Sequence, residues 1–463
     1  MTRIVIMGGG PAGYEAALVA AQHGADVTVV EPEGMGGACV LADCVPSKTL
    51  ISSAGMRTDL RRARELGLRA DHEALGVHLA GINSRVVALA RAQSADVRAR
   101  LEREGVRLVC GTARFAEQPP GGALHGVSVD DDEVLPADVV LVATGATPRV
   151  LPSAQPDGDR ILTWRQIYDL TELPEHLVVV GSGVTGAEFV SAYTELGVPV
   201  TLVSSRDRVL PTEDADAATV LEDVFAERGV QILPKTRAEA VSRSGDGVEV
   251  SLAGGGTVSG SHVLMAVGSV PNTGDIGLDR VGIDVDRGGF IPVDRVSRTA
   301  APGVYAAGDC TGVLMLASVA AMQGRIAVWH ALGEGVSPIR LKTVASAVFT
   351  RPEIATVGIS QSAIDAGEVQ ARTIMMPLGT NPRAKMQGLR RGFVKLFCRP
   401  ASGVVIGGVV VAPVASELIL PIAMAVQNTL AVDDLARTFS IYPSLSGSIT
   451  ESGRQLMRHD DLD

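Results

Sequence analysis

"TRIVIMGGGPAGYEAALVAAQHGADVTVVEPEG", residues 2–34, reads as a strand, a tight glycine turn, a helix and a second strand. Gly8, Gly10 and Gly13 form G-x-G-x-x-G directly after the apolar run Ile4–Met7. The first glycine permits the turn, the second lets backbone approach a pyrophosphate, and the third lets helix and strand pack closely. The helix N-terminus then offers free N–H groups and a positive dipole end to the anion. Eighteen residues past Gly13, Glu31 ends the second strand, where a carboxylate can accept from both hydroxyls of a ribose. A lone glycine motif is weak evidence; strand, helix and acid in register make this a dinucleotide site.

The pattern returns in "HLVVVGSGVTGAEFVSAYTELGVPVTLVSSRDRVLP" (176–211), with Gly181, Gly183 and Gly186 after a Val-rich strand. Here Ser204 stands in the acid's place, with Arg206 and Arg208 close behind. A carboxylate would repel a 2′-phosphate, whereas a hydroxyl among guanidinium groups accepts one. The first unit therefore suits an unphosphorylated adenosine ribose, and the second tolerates or prefers NADPH. The plainer reading is that both arginines are solvated turn residues.

Two further apolar strands stop at matching glycine turns, "VVLVATGATPR" (139–149) and "VLMAVGSVPN" (263–272). A third runs into "GVYAAGDCTG" (303–312), where Asp309 is placed to hydrogen-bond the polyol chain of a flavin and Cys310 is a small residue for the core. "GGACVLADCVPSK" (36–48) sets Cys39 and Cys44 five positions apart, with Lys48 four beyond.

Bulk properties narrow the function. The 463 residues are too many for one core, so about two to four domains are expected. Net charge is −11 and no basic stripe stands out, which sets nucleic acid aside. The basic run 59–69 is a solvated helix face. The N-terminal apolar run is too short for a signal peptide, and Pro413, Glu417 and Pro421 interrupt the apolar stretch 403–427. That stretch reads as a strand followed by a buried helix, not a membrane insertion, and a cytoplasmic protein is expected. Five cysteines are too few for a disulfide scaffold, and in a reducing compartment a close pair is catalytic or metal-binding. No further Cys or His lies near the pair in sequence, so no metal is expected.

Together these residues resemble the FAD-dependent pyridine nucleotide–disulfide oxidoreductases, the family of dihydrolipoamide dehydrogenase and glutathione reductase. The resemblance covers almost the whole chain, and "VFTRPEIATVG" (348–358) and "GGVVVAPVASELI" (407–419) extend it into the family's C-terminal dimerisation domain. It implies an α/β fold with two Rossmann-like nucleotide-binding domains and a C-terminal α+β interface domain. The FAD domain would comprise 1–150 with 276–342, the NAD(P)H domain 151–275 and the interface domain 343–463. A homodimer is implied, because the interface domain normally builds part of the neighbour's active site.

The resemblance also distributes roles. Gly8, Gly10, Gly13 and Glu31 would bind the ADP half of FAD and Asp309 its ribityl chain, with Gly37, Ala113, Thr144, Gly145, Gly308 and Ala317 as further contacts. Gly181, Gly183, Gly186, Ser204, Arg206 and Gly268 would serve NADPH or NADH. Lys48 would sit beside the flavin N5, paired with Glu188, where a cation stabilises reduced flavin. Cys44 would lie against the flavin and Cys39 would meet disulfide substrates.

The pattern breaks near the C-terminus. Disulfide-reducing members carry His-Pro there, and a Glu five residues after the His orients the imidazole. In "SIYPSLSGSITESG" (440–453) Tyr442 precedes Pro443 and Gly447 replaces the Glu. No histidine occurs between His330 and His459, and the latter belongs to a polar tail. A tyrosine, with an unperturbed pKa of about 10, is a poor base at neutral pH; it reads as a residue filling the histidine's space. Thiol–disulfide exchange needs that acid–base group. The expected acceptor is therefore one that takes electrons directly from reduced flavin, such as a quinone, in a ping-pong cycle. Working dihydrolipoamide dehydrogenase, soluble transhydrogenase (which shares the Tyr but lacks the Cys pair) and a redox-sensing flavoprotein without turnover remain alternatives. Mercuric reductase is disfavoured because no C-terminal Cys pair is present.

Overall fold

The computed structural model describes residues 1–68, 76–117, 122–130 and 132–457. His459 and the polar tail, and the last residue of the basic run 59–69, lie outside the described residues.

The opening stretch folds as its pattern dictates. Strand Arg3–Met7 leads through the glycine turn into helix Pro11–Gln22, and strand Asp26–Val30 returns parallel to the first, Arg3 opposite Asp26 and Met7 opposite Val30. Val139–Val142 pairs with the other side of the first strand, followed outward by Val304–Ala306, and Arg107–Val109 closes the far edge. The result is a five-stranded parallel sheet. Its strands are almost wholly apolar because helices or a second layer cover both faces. One cover layer is helix Pro11–Gln22 with helix Ala317–Ala331; the other face carries an antiparallel sheet of Ala113–Phe115, His125–Val129 and Glu133–Ala137.

The second glycine motif builds the same object again. Leu177–Val180 is flanked by Val200–Val203 and then Gln231–Leu233 on one side, and by His262–Met265 and then Ile161–Thr163 on the other, all parallel. The two apolar strands with matched glycine turns thus occupy equivalent places beside the two central strands. Where the chain passes between units, Ala146–Pro148 and Ser269–Pro271 pair antiparallel. Asn272 donates to the Thr144 and Gly145 carbonyls, and the Arg149 N–H to that of Gly268, tying the two turns together.

The C-terminal part is a five-stranded antiparallel sheet in the order Ala345–Val348, Glu353–Gly358, Val405–Ala412, Phe393–Cys398, Arg372–Pro377. Helices Leu420–Gln427 and Gly447–Leu456 pack on it. The stretch 403–427 is indeed strand then helix, but the helix is only half buried: Leu420 and Met424 are exposed while Ile422 and Ala425 are not. One hydrophobic core runs from helix Cys44–Arg61 through the second Rossmann unit to this sheet, with Leu50, Tyr193, Phe225 and Phe397 all inside it. Lys395, almost fully buried on the C-terminal sheet, reaches both Asp214 carboxylate oxygens at 2.9 and 2.7 Å and Asp216 at 2.6 Å. Arg62, at the start of the basic run, donates to the Gln387 and Gly388 carbonyls, so that residue is a tie between segments and not only a solvated one. Among the described residues no helix is long and apolar enough to cross a membrane.

Candidate active site

Both glycine motifs show one division of labour. Gly8 and Gly181 each have φ +113°, and a Cβ there would fall 2.3 Å from the Ala143 carbonyl oxygen or 2.1 Å from that of Ala266. Gly13 and Gly186 approach the turn so closely that a Cβ would lie 1.9 Å from the Gly8 or Gly181 oxygen. The middle glycines differ. Gly10 and Gly183 have φ −67° and −73°, open to any residue, and a Cβ would meet nothing nearer than 4.0 Å at Gly10 and nothing at all within 4 Å at Gly183. Protein packing does not require glycine at these two places; a ligand backbone against the helix N-terminus does.

In front of the first motif lies a cavity of about 550 Å³ walled by Gly8, Gly10, Glu31, Gly37, Ala113, Thr144, Gly145, Gly308, Asp309 and Ala317, and by Cys39, Asp43 and Cys44. Glu31 is buried and held by backbone: one carboxylate oxygen accepts from Gly9 at 2.7 Å, the other from Glu33 at 2.9 Å. Asp309 opens the short helical turn Asp309–Thr311. Burial, and then the charge of Asp43, push its carboxyl up to about 6. Ala317 begins helix Ala317–Ala331, turning a second helix N-terminus to the cavity. Cys310 is fully buried and its thiol is pushed up to about 11 by burial, consistent with a packing role.

Cys39 lies in the short helix Gly37–Leu41 and Cys44 starts helix Cys44–Arg61. The Asp43 N–H donates to the Ala38 carbonyl at 2.8 Å, closing the bend that brings the cysteines together. Both are free thiols, and each shifts the other's titration. The mutual influence of the two thiols lowers Cys39 and raises Cys44, so the first proton leaves the pair more readily than the second. Burial and Asp43 push both thiols up, and Lys48 pulls both down.

Lys48 lies one helical turn beyond Cys44. Its Nζ is 2.8 Å from Glu188 Oε2 and 4.9 Å from the Phe349 ring centre. Burial opposes the ammonium charge, but Glu188, Cys44 and Asp43 outweigh it and the lysine pKa is raised. Glu188 is buried on helix Val184–Glu195, and its other oxygen accepts from the Phe349 N–H at 2.9 Å. Three parts of the chain meet on this one carboxylate.

Residues 2–324 match the pyridine nucleotide-disulphide oxidoreductase family, and residues 344–452 match the dimerisation domain of that family. The chain belongs to this family. An NAD(P)H dehydrogenase (quinone) of Mycobacterium tuberculosis (strain ATCC 25618 / H37Rv) is 64% identical over 473 residues, covering 100% of this chain and 95% of that one. Dihydrolipoyl dehydrogenase 2 of Haloarcula marismortui is 34% identical, covering 97% of this chain and 96% of that one. The crystal structure of LpdA from Mycobacterium tuberculosis superposes with a TM-score of 0.95 at 64% identity, covering 99% of this chain and 100% of that one. The HOCl-induced flavoprotein disulfide reductase RclA from Escherichia coli shares the fold, with a TM-score of 0.86 at 24% identity over 98% of this chain and 99% of that one.

As a pyridine nucleotide-disulphide oxidoreductase the chain is an enzyme that uses FAD and NAD(P)H. Its residues fit FAD: the cavity joins a glycine cradle, the buried carboxylate of Glu31, Asp309 and two helix N-termini. The second unit shows two departures from the sequence reading. Ser204 is wholly buried and bonds Ser182 Oγ at 2.7 Å, so the two hydroxyls fill the space that Glu31 fills in the first unit. Arg208 is turned into its own loop, donating to the Pro211 and Glu213 carbonyls, which leaves Arg206 as the exposed guanidinium of the pair. Lys235, hydrogen-bonded through backbone to Arg206, is a second exposed cation there that the linear sequence, 29 positions away, did not suggest.

Tyr442 lies apart from these groups. It is 83% exposed, beside Phe439 and Ile441, and so does not fill a histidine's space within its own chain, as the sequence reading had it. Asp43, Trp164, Arg165 and Asn272 also line the cavity and were not singled out from sequence. Asp43, adjacent to Cys44, was within reach of it.

Proposed function

We propose that the enzyme is an FAD-dependent NAD(P)H:quinone oxidoreductase. What carries the reading is the contrast between an electron entry assembled around Lys48 and Glu188 and an exit to disulfides in which Tyr442 and Gly447 stand where an acid–base pair is needed. The quinone activity named for the 64%-identical relative supports it. When bound, FAD accepts hydride from NAD(P)H and passes electrons to the acceptor.

The chain's own groups prepare that chemistry. Gly10 and Gly183 leave room for the two pyrophosphates, Glu31 holds a ribose, and Asp309 presents a carboxyl to the middle of the cavity. Lys48, fixed by Glu188, supplies a permanent positive charge next to the cysteines and stabilises negative charge that develops there. Arg206 with Lys235 provides cations at the ribose end of the second unit, and NADPH and NADH are both accepted. The quinone takes its second proton from water or from an acid in the cavity.

The domain division proposed is 1–150 with 276–342 for FAD, 151–275 for NAD(P)H and 343–463 for the interface, consistent with the pairing of Ala146–Pro148 with Ser269–Pro271 at the crossing. A cytoplasmic homodimer is proposed with it. Exposed Leu420, Met424, Phe439, Ile441 and Tyr442 on the dimerisation domain are the surface a second copy would cover. Tyr442 would then reach the partner's cavity. The Cys39–Cys44 pair, both lining the cavity, favours one second reading, a disulfide reductase of the dihydrolipoyl dehydrogenase type. Steady-state oxidation of NADPH and NADH with a benzoquinone, set against lipoamide, decides between them. Lipoamide turnover equal to quinone turnover would reject the proposal.

A further inference from the structure

The turn after the outer strand of the second Rossmann unit reaches the cavity of the first. Strand Ile161–Thr163 forms one edge of that unit's sheet, and the two residues that follow it, Trp164 and Arg165, line the FAD cavity. Their turn is held firmly. The Thr163 N–H and hydroxyl both donate to Gln166 Oε1, at 2.9 and 3.0 Å, and the Gln166 N–H returns to the Thr163 carbonyl at 3.1 Å. Trp164 is buried in the core that joins the units, so Arg165 stands on a fixed base.

Glu33 lines the same cavity from the first unit. Its N–H and that of Gly34 donate to Glu31 Oε1 at 2.9 and 3.4 Å, so its backbone is held by the carboxylate that ends the second strand. Arg165 Nη2 lies 2.5 Å from Glu33 Oε2, across 132 positions of sequence. Among the described residues neither side chain has another hydrogen-bond or ion-pair partner. This one contact completes the cavity wall at the Glu31 end and joins the two nucleotide units there. Core packing does not account for it, since both side chains are partly exposed, at 29% and 51%.

We propose that Arg165 is a positioning residue for the cofactor: paired with Glu33, it straps the Glu31 end of the cavity and slows the departure of bound FAD. A wall made of an ion pair opens only when the charges separate, and salt eases that separation by screening them. The strap therefore acts on the release rate more than on entry. The inference goes beyond the quinone reading and holds for any electron acceptor, because it rests only on the use of FAD.

The test measures flavin release from the holoenzyme. Protein freed of excess flavin is mixed with an excess of a flavin-capturing apoprotein, and the FAD still bound is read by absorbance after separation at timed intervals. Arg165→Ala and Glu33→Ala should each release FAD about three- to tenfold faster than wild type at low salt, the range for a partly exposed, charge-assisted pair. The double Ala variant should match the faster single one to within about twofold, because both changes break the same contact. Arg165→Lys keeps the charge and should stay below about threefold. Added salt should speed wild-type release toward the variants and leave the double variant unmoved. An acceleration below about threefold in either Ala variant would overturn the proposal. So would effects that multiply in the double variant, which would make the two residues independent, or wild-type release indifferent to salt. Failure of the quinone reading would appear in the acceptor assays and leave these release rates as they are.

Discussion

Replacing Glu188 with Gln isolates the ion pair on which three segments converge. At 2.8 Å and an effective dielectric of 20, the bare attraction between Lys48 and Glu188 is about 6 kcal/mol. The lysine side chain is 30% exposed, so solvent screening and the desolvation already incurred reduce the net value by more than half, to about 2–3 kcal/mol. Gln keeps an oxygen for the Phe349 N–H, so the loss reports the charge and not that hydrogen bond. Urea unfolding, followed through release of FAD fluorescence, should show Glu188→Gln destabilised by about that amount. Adding Lys48→Met removes the orphaned ammonium and should recover all but about 1 kcal/mol, because an uncompensated buried charge costs more than an absent pair. A loss below about 0.5 kcal/mol in the single variant would refute the reasoning, as would a double variant as unstable as the sum of the two singles.

Two other outcomes are expected. Gly186→Ala should fail to fold or lose several kcal/mol, since its Cβ would lie 1.9 Å from a backbone oxygen, whereas Gly183→Ala should match wild type in thermal unfolding without nucleotide; titration with NADPH should then show Gly183→Ala binding at least tenfold more weakly. The raised Asp309 carboxyl gives apoprotein stability a definite pH course. Folded at about 6 and unfolded near 3.9, it binds more protons in the native state, so stability is full below pH 4, falls as pH rises to 6 and stays reduced above, by up to about 3 kcal/mol. Asp309→Asn should flatten that interval in chemical unfolding of the apoprotein, and an unchanged slope would exclude the assignment.

Much of the fold was legible because its determinants are local. A glycine whose Cβ would strike a carbonyl leaves its mark at a fixed offset from a Val-rich strand, and in each motif the first and third positions have that steric reason while the middle one has none within the protein. Glu31 could be found because it sits at the end of the very next strand. What escaped depends on contacts across the chain. Nothing around Ser204 announces that Ser182 will turn its hydroxyl inward to meet it, and Lys235 joins Arg206 only through pairing of neighbouring strands. Lys395 is the one charge in the apolar strand Phe393–Cys398, and Asp214 and Asp216, about 180 residues earlier, draw it into the core. Tyr442 escapes for a different reason: within the chain it stands exposed beside Phe439 and Ile441, and nothing in its neighbours' sequence announces that exposure.

The cysteines offer the sharpest test of how electrons leave. In Cys39→Ser with Cys44→Ser each thiol becomes a hydroxyl of similar shape, so the bend closed by Asp43 and Ala38 is retained, and FAD content should be unchanged. If the acceptor takes electrons without the thiols, NAD(P)H:quinone turnover should remain within about twofold of wild type. Tyr442→His with Gly447→Glu asks the converse question. A Cβ at Gly447 would come no closer than 3.7 Å to a side-chain oxygen, and an acid in the first turn of helix Gly447–Leu456 suits its dipole, so the change fits the fold. An imidazole oriented by a carboxylate would supply the acid–base function now absent, worth about 10²–10⁴-fold, and lipoamide reduction should rise toward that range. The gain should vanish when Cys39→Ser is added, because the restored base has no thiol to serve. Should the double serine protein keep its FAD but lose quinone reduction, electrons pass through the cysteines, and the missing dyad would not be what decides the acceptor.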